Sequence, residues 1–224
     1  MRTLTVITAG LSTPSSTRQV ADEISAAVNA AVTARGEALE VTTIELRELV
    51  NDLAQVFTTG MSTPRLDEVK TLVSSSDGLV AVTPVFKASY SGLFKMFFDA
   101  LDADALNGMP TIIAATAGTP RHSLVTEFAL RPLMTYMRAV VVPTSFFAAT
   151  DDFGGEEGQS LERRIARAAG ELANLMVASN DSVGGLGGVT AEGQGMTRRR
   201  KTGVDPEENL VPFSELLAGH DGNS

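Results

Sequence analysis

The residues near the amino terminus best suited to chemistry are Gly10-Leu11-Ser12-Thr13-Pro14-Ser15-Ser16-Thr17. An apolar run, Leu4 to Thr8, precedes them, and a long helical pattern follows. A strand, a hydroxyl-rich turn and a helix start together make an anion site. The first-turn N–H groups have no intrahelical partners, and the helix dipole is positive at that end. The turn lacks the lysine of a Gly-x4-Gly-Lys-Ser/Thr loop, which argues against a nucleoside triphosphate. It also lacks Gly-x-Gly-x-x-Gly, which argues against a dinucleotide bound in the Rossmann manner. A single terminal phosphate held by hydroxyls and amides fits best, and flavin mononucleotide (FMN) carries one. The same residues have a plainer use. Ser15 or Ser16 is a good N-cap, and Ser16 with Gln19 reads as a capping box.

The elements around this turn follow from periodicity. Thr17 to about Ala34 places Val20, Ile24, Val28 and Ala31 on one helical face, with Gly36 as the C-terminal stop. Leu39–Glu45 alternates as a second strand, Leu46–Leu53 suits a short helix, Phe57–Pro64 a loop, and Leu66–Ser75 a helix. Leu79-Val80-Ala81-Val82 is unbroken apolar sequence, as expected of a parallel strand covered on both faces. Ser91–Leu101 is a helix, Thr111–Ala115 a fourth strand, and Ser123–Tyr136 a helix with Pro132 as a kink. Ala139–Val142, or Ala139 on to Ala149, is a fifth strand, and Leu161–Ala178 a last long helix. Alternating strands and helices predict an α/β three-layer sandwich. Its five-stranded parallel sheet takes the flavodoxin-like order 2-1-3-4-5.

Residues 1–178 form the expected domain. Seven glycines between Gly184 and Gly203 make 179–205 read as a flexible linker. The basic run Arg198–Lys201 lies inside it and reads as solvated sequence. Pro212–Gly219 reads as a short terminal helix. With 27 acidic against 18 basic residues, the chain carries a net charge of −9, so nucleic acid and anionic membranes are poor partners. It contains no cysteine and only His122 and His220 as histidines, which excludes disulfides and argues against a metal site. No apolar run approaches bilayer length and no apolar leader is present, so a cytoplasmic location is expected.

Two further loops follow the third and fourth strands. The first runs Thr83-Pro84-Val85-Phe86-Lys87-Ala88-Ser89-Tyr90-Ser91-Gly92 and continues Leu93-Phe94-Lys95-Met96-Phe97-Phe98-Asp99. The second is Ala115-Thr116-Ala117-Gly118-Thr119-Pro120-Arg121-His122. With the first turn, these segments closely resemble the NADPH-dependent FMN reductase family, whose pattern here is Pro-x-Tyr-x-x-Ser-x-Ser-Gly-x-Leu-Lys-x-Phe-x-Asp. Phe86 stands for the usual tyrosine and Phe94 for the usual leucine. Phe86 therefore keeps an aromatic face but has no phenol to donate. The resemblance covers roughly 1–178 and is strongest to the actinobacterial branch paired with luciferase-like monooxygenases.

The resemblance implies that FMN lies at the carboxyl ends of the strands. Ser12, Ser15, Ser16 and Thr17, with Arg18, would hold its phosphate. Pro84, Val85, Phe86 and Lys87 would lie along the isoalloxazine, and Thr116, Ala117 and Gly118 would flank its other side, with His122 nearby. NADPH or NADH would supply hydride, and no acid–base residue is required. Phe94, Phe97 and Phe98 read as packing residues. Asp151, Asp152 and Phe153 read either as a solvent turn or as a reach into a neighbouring subunit. The family assembles as homodimers or homotetramers and feeds flavin-dependent monooxygenases. Two other functions stay open on the sequence, an FMN-retaining quinone or azo reductase and a non-enzymatic electron carrier. The chain has no Trp and only Tyr90 and Tyr136 as tyrosines, which makes it poor in the aromatic lids that carriers use.

Overall fold

The computed structural model of the chain describes residues 1–149 and 155–178. Its strands are β1 (Arg2–Thr8), β2 (Leu39–Glu45), β3 (Gly78–Phe86), β4 (Ser89–Tyr90), β5 (Pro110–Ala117), β6 (Val140–Val141) and β7 (Phe146–Ala149). Its helices are α1 (Ser16–Thr33), α2 (Val50–Thr59), α3 (Pro64–Ser75), α4 (Gly92–Asp99), α5 (Arg131–Tyr136) and α6 (Gly155–Ala178). The sheet runs β2-β1-β3-β5-β6, with β7 also paired to β5. All of these pairs are parallel, and the short β4 folds back antiparallel on β3. With β4 set aside, and β6 and β7 taken as halves of one strand, this is the expected flavodoxin-like order.

Strand alternation builds two cores. Leu4, Val6, Val80, Val82, Ile112 and Ala114 face α1 and α6, where Val20, Ile24, Leu172 and Ala173 are buried with them. Ile7, Leu79, Ala81, Ile113 and Ala115 face the other layer, with Leu53, Leu66, Phe94, Phe97 and Met134. Burial on both faces is why β3 and β5 read as continuous apolar runs rather than alternating ones.

Several expected boundaries move, each for a local reason. Leu46–Leu49 is a 3₁₀ turn that runs straight into α2, so Phe57, Thr58 and Thr59 are helical rather than loop. Gly60, left-handed at φ 73°, ends that helix. The fifth strand breaks at Pro143, which has no N–H to give the ladder. Val142 N–H still bonds Thr111 O at 3.0 Å. Side chains then take over the backbone groups of the break. Arg131 donates to the carbonyls of Val142 and Pro143, both at 3.1 Å, and Glu171 accepts the Thr144 N–H at 2.9 Å.

The expected helix over 123–136 is not continuous. Pro120–His122 is a 3₁₀ turn, Thr126–Leu130 a π turn, and only Arg131–Tyr136 is α-helical. Pro132 cannot donate to the preceding turn, and the Arg131 N–H reaches back five residues to Thr126 O. The Glu127 carboxylate accepts from Arg131 and from Ser145 (2.7 Å), and the Arg131 bonds hold its pKa below the ordinary value. Residues 179–224, expected to be linker and terminal helix, lie outside the described residues, as do Asp151, Asp152 and Phe153. No helix of the described residues is long and apolar enough to cross a membrane.

Candidate functional site

Register brings the ends of the central strands level. Thr8 pairs with Val82, Pro84 with Thr116, and Ala117 with Ala149. Ala9 N–H extends the ladder to Val82 O at 3.0 Å. The three loops singled out in the sequence therefore leave the sheet side by side, at the point where the strand order reverses. Ligands of open α/β sheets bind at this position.

The first loop is built around Gly10. A Cβ placed there would lie 2.1 Å from Ser15 Oγ and 3.1 Å from Thr17 Cβ, so the loop folds back over a position that only glycine fits. Ser15 is the N-cap of α1. Its Oγ accepts the Arg18 N–H at 3.2 Å, and its carbonyl accepts the Gln19 N–H at 3.1 Å. The cap is thus Ser15 alone, and Ser16 does not form the capping box with Gln19. Among the described residues the N–H groups of Ser16 and Thr17 have no partner, while Ser12 and Ser16 are exposed. Unpaired amides at the positive end of an 18-residue helix, ringed by hydroxyls, fit a phosphate monoester.

Thr17 Oγ1 is buried and lies 2.8 Å from Thr116 Oγ1, also buried. This hydrogen bond crosses from the first loop to the third and fixes their spacing. Both hydroxyls are already partnered, so these threonines position the loops as well as line them.

Two arginines exchange the places that residue order suggests. Arg18 is paired with Asp22 at 2.8 Å and Glu45 at 2.7 Å, which raises its pKa and turns its guanidinium to the outer side of α1. It borders a cavity of about 370 Å³ beside β2, together with Glu45, Glu48 and Arg65, rather than the three loops. Arg47, which the sequence did not single out, bonds the Thr13 hydroxyl and lies 3.4 Å from the Ser12 carbonyl, with Glu45 at 2.7 Å. Its signal was positional. It stands two residues beyond the end of β2, and β2 pairs with β1.

In the second loop Pro84 and Val85 are half-buried, and Phe86 exposes 46% of its surface. Phe86 pairs with Ser89 across the two-residue turn Lys87–Ala88, whose φ angles are +52° and +66°. These are type I′ positions, which favour asparagine and glycine, and here both carry ordinary side chains. Left-handed backbone costs a non-glycine residue about 1–2 kcal/mol. Ala88→Gly should therefore raise stability by about 0.5–1 kcal/mol, read as a higher denaturant midpoint at unchanged slope. A lower midpoint would show that the turn carries no strain. Thr83 Oγ1 accepts the Ser91 N–H at 3.0 Å, and Ser91 Oγ caps α4 by accepting the Phe94 N–H at 3.2 Å. The Ser91 hydroxyl is thus spent on structure.

In the third loop Ala117 is half-buried and Gly118 exposed, and a Cβ on Gly118 would meet nothing within 4 Å. Open space lies above this segment. His122 is half-buried and Arg121 exposed, both in the 3₁₀ turn. Among the described loop residues only Phe86 and Tyr90 are aromatic. Tyr90 is engaged with Phe94, ring centroids 5.9 Å apart, which leaves Phe86 as the one exposed aromatic among the described residues of the three loops.

Fold and site together define a flavodoxin-like α/β protein whose switch point suits a phosphate monoester with a flat group beside it. Residues 2–154 match the model of the family described as NADPH-dependent FMN reductase. The chain belongs to that family and is an oxidoreductase. An FMN reductase (NADPH) of Pseudomonas aeruginosa is 35% identical over 134 residues, 59% of this chain and 72% of that protein. The NADH-dependent FMN reductase SfnF of Pseudomonas fluorescens is 33% identical over the same shares. An oxidoreductase of Corynebacterium diphtheriae, known from its crystal structure, is 70% identical. It superposes with a TM-score of 0.78 over 80% of this chain and 98% of its own.

Proposed function

We propose that this chain reduces FMN with NAD(P)H and releases the reduced flavin to a separate flavin-dependent monooxygenase. The observation that carries the reading is the Thr17–Thr116 hydrogen bond between the phosphate-binding and ring-flanking loops. When bound, FMN accepts hydride from the nicotinamide, and the protein supplies orientation and electrostatics. The amides of Ser16 and Thr17 with the hydroxyls of Ser12, Ser15 and Ser16 hold the phosphate, and Arg47 braces the loop from behind. Pro84, Val85 and Phe86 support one edge of the ring. Thr116, Ala117 and Gly118 leave the other side open, and His122 borders it.

The single exposed aromatic among the described loop residues supports turnover and release over electron carriage. A ring enclosed by two large aromatic faces would exclude nicotinamide, and the described loops offer only Phe86. Exposed Leu124, Phe128 and Tyr136 on the neighbouring segment support assembly as a homodimer or homotetramer.

The deciding experiment follows NAD(P)H oxidation in the near ultraviolet with purified protein, with and without added FMN. The expected result is turnover that saturates with added FMN. Tight FMN binding without FMN-dependent turnover would overturn the reading. Turnover only with a quinone, on flavin that survives dialysis, would move it to an FMN-retaining quinone reductase.

A further inference from the structure

We infer that Lys87 and Arg121 hold the phosphate groups of the nicotinamide dinucleotide, a role that rests on the reductase reading above. The cations near the carboxyl edge of the sheet divide into those already bound and those left free among the described residues. Arg18 is bound to Asp22 and Glu45, Arg47 to Glu45, and Arg65 to Glu48. Arg131 is held by Glu127 and two carbonyls. Lys87 and Arg121 are exposed and have no ion pair or hydrogen bond among the described residues. One sits on the hairpin after β3, the other on the 3₁₀ turn after β5, and these strands are adjacent with Pro84 opposite Thr116.

Their place in the sheet decides which anion they serve. The phosphate loop belongs to β1, while these cations belong to the next two strands, each about 4.8 Å further along. They therefore rim the ring end of the site rather than its phosphate end. An anion bound there belongs to a second molecule, and the second substrate of the reaction is a dinucleotide carrying a pyrophosphate and, in NADPH, a 2′-phosphate. The wider electrostatics make the need plain. On a chain of net charge −9, unpaired cations beside the opening favour the approach of a polyanionic substrate there. The left-handed turn places Lys87 at the tip of a two-residue hairpin, where its side chain is exposed.

The test is calorimetric binding of NADP⁺ and of NAD⁺ to the FMN-loaded, full-length protein. Lys87→Gln, Arg121→Gln and the double variant are compared with wild type, and the Kd for FMN is measured in parallel by flavin fluorescence. Each neutral substitution is expected to weaken NADP⁺ by about fivefold, and the pair by about twentyfold or more; FMN affinity stays within about twofold in Arg121→Gln and falls less than NADP⁺ affinity in Lys87→Gln, whose residue borders the ring. Lys87→Arg should restore binding, and added salt should erase the difference between wild type and variants. Weakening of NADP⁺ alone identifies the 2′-phosphate as the contact, and equal weakening of NAD⁺ identifies the pyrophosphate. Either result supports the inference. Unchanged affinity for both nucleotides, or a matching loss of FMN affinity, overturns it while leaving the reductase reading intact. A wild-type protein that binds FMN but neither nucleotide, and oxidises neither NADPH nor NADH, overturns both.

Discussion

Gly10→Ala is expected to weaken FMN at least tenfold and to lower stability by about 1–3 kcal/mol, because the new methyl has no space. Its Cβ would stand 2.1 Å from Ser15 Oγ, 3.1 Å from Thr17 Cβ and 3.2 Å from Ser15 Cβ. Rotation of the serine hydroxyl relieves only the first of these. The other two require the loop or the first turn of α1 to move. Movement there breaks the Ser15 cap, worth about 1 kcal/mol, and turns the Ser16 and Thr17 amides away from their common focus. It also strains the Thr17–Thr116 bond that ties the loop to β5. The pair of variants Gly10→Ala and Ser15→Ala makes the cause measurable. Ser15→Ala alone should cost about 1 kcal/mol, and the double variant should cost clearly less than the sum, since the worst contact is then gone. Fluorescence titration with FMN and urea denaturation read the two quantities separately. Gly10→Ala with wild-type affinity and midpoint would show that the loop does not depend on this close approach.

The loops were legible because the strands before them were. β1, β3 and β5 are buried on both faces, so Leu79–Val82 and Ile112–Ala115 appear as unbroken apolar runs, and their ends mark where a ligand site must open. What the sequence could not place was the partner of each charge. Arg18 lies next to the phosphate loop in the chain, yet Glu45 and Asp22 hold it. Arg47, 34 residues after Thr13, touches the loop instead. That exchange depends on β2 pairing beside β1 with Glu45 opposite Thr8, which is a fact of register and not of local sequence. The left-handed Lys87–Ala88 turn was hidden for the opposite reason. Neither residue type announces it, and it is imposed by the pairing of Phe86 with Ser89. Pro132 did announce its break, whereas the strand break at Pro143 was not read, nor how Arg131 and Glu171 would satisfy the groups it releases.

The packing beneath the second loop predicts the largest loss of stability. Phe94 is fully buried in α4, with Phe98 4.6 Å away and Tyr90 5.9 Å away by ring centroids, and Phe97 stands edge-on to Phe98 at 5.4 Å. Phe94→Ala removes the middle of this cluster and should cost about 3–5 kcal/mol, a large share of a small domain's stability. The effect should reach the site, because Tyr90 is the β4 residue paired with Val85 and rests on the Phe94 ring. Once that support is gone the hairpin loses its seat, and FMN affinity should fall in the fraction that stays folded. Phe94→Leu separates packing from any requirement for an aromatic. Leucine fills most of the volume, so its cost should stay under about 1.5 kcal/mol, with FMN affinity near wild type. If Phe94→Leu were as damaging as Phe94→Ala, the tilted ring contacts rather than the filled volume would hold the hairpin in place. If Phe94→Ala were as stable as wild type, the support of β4 would have to come from the π turn Thr126–Leu130 packed against it, and not from α4.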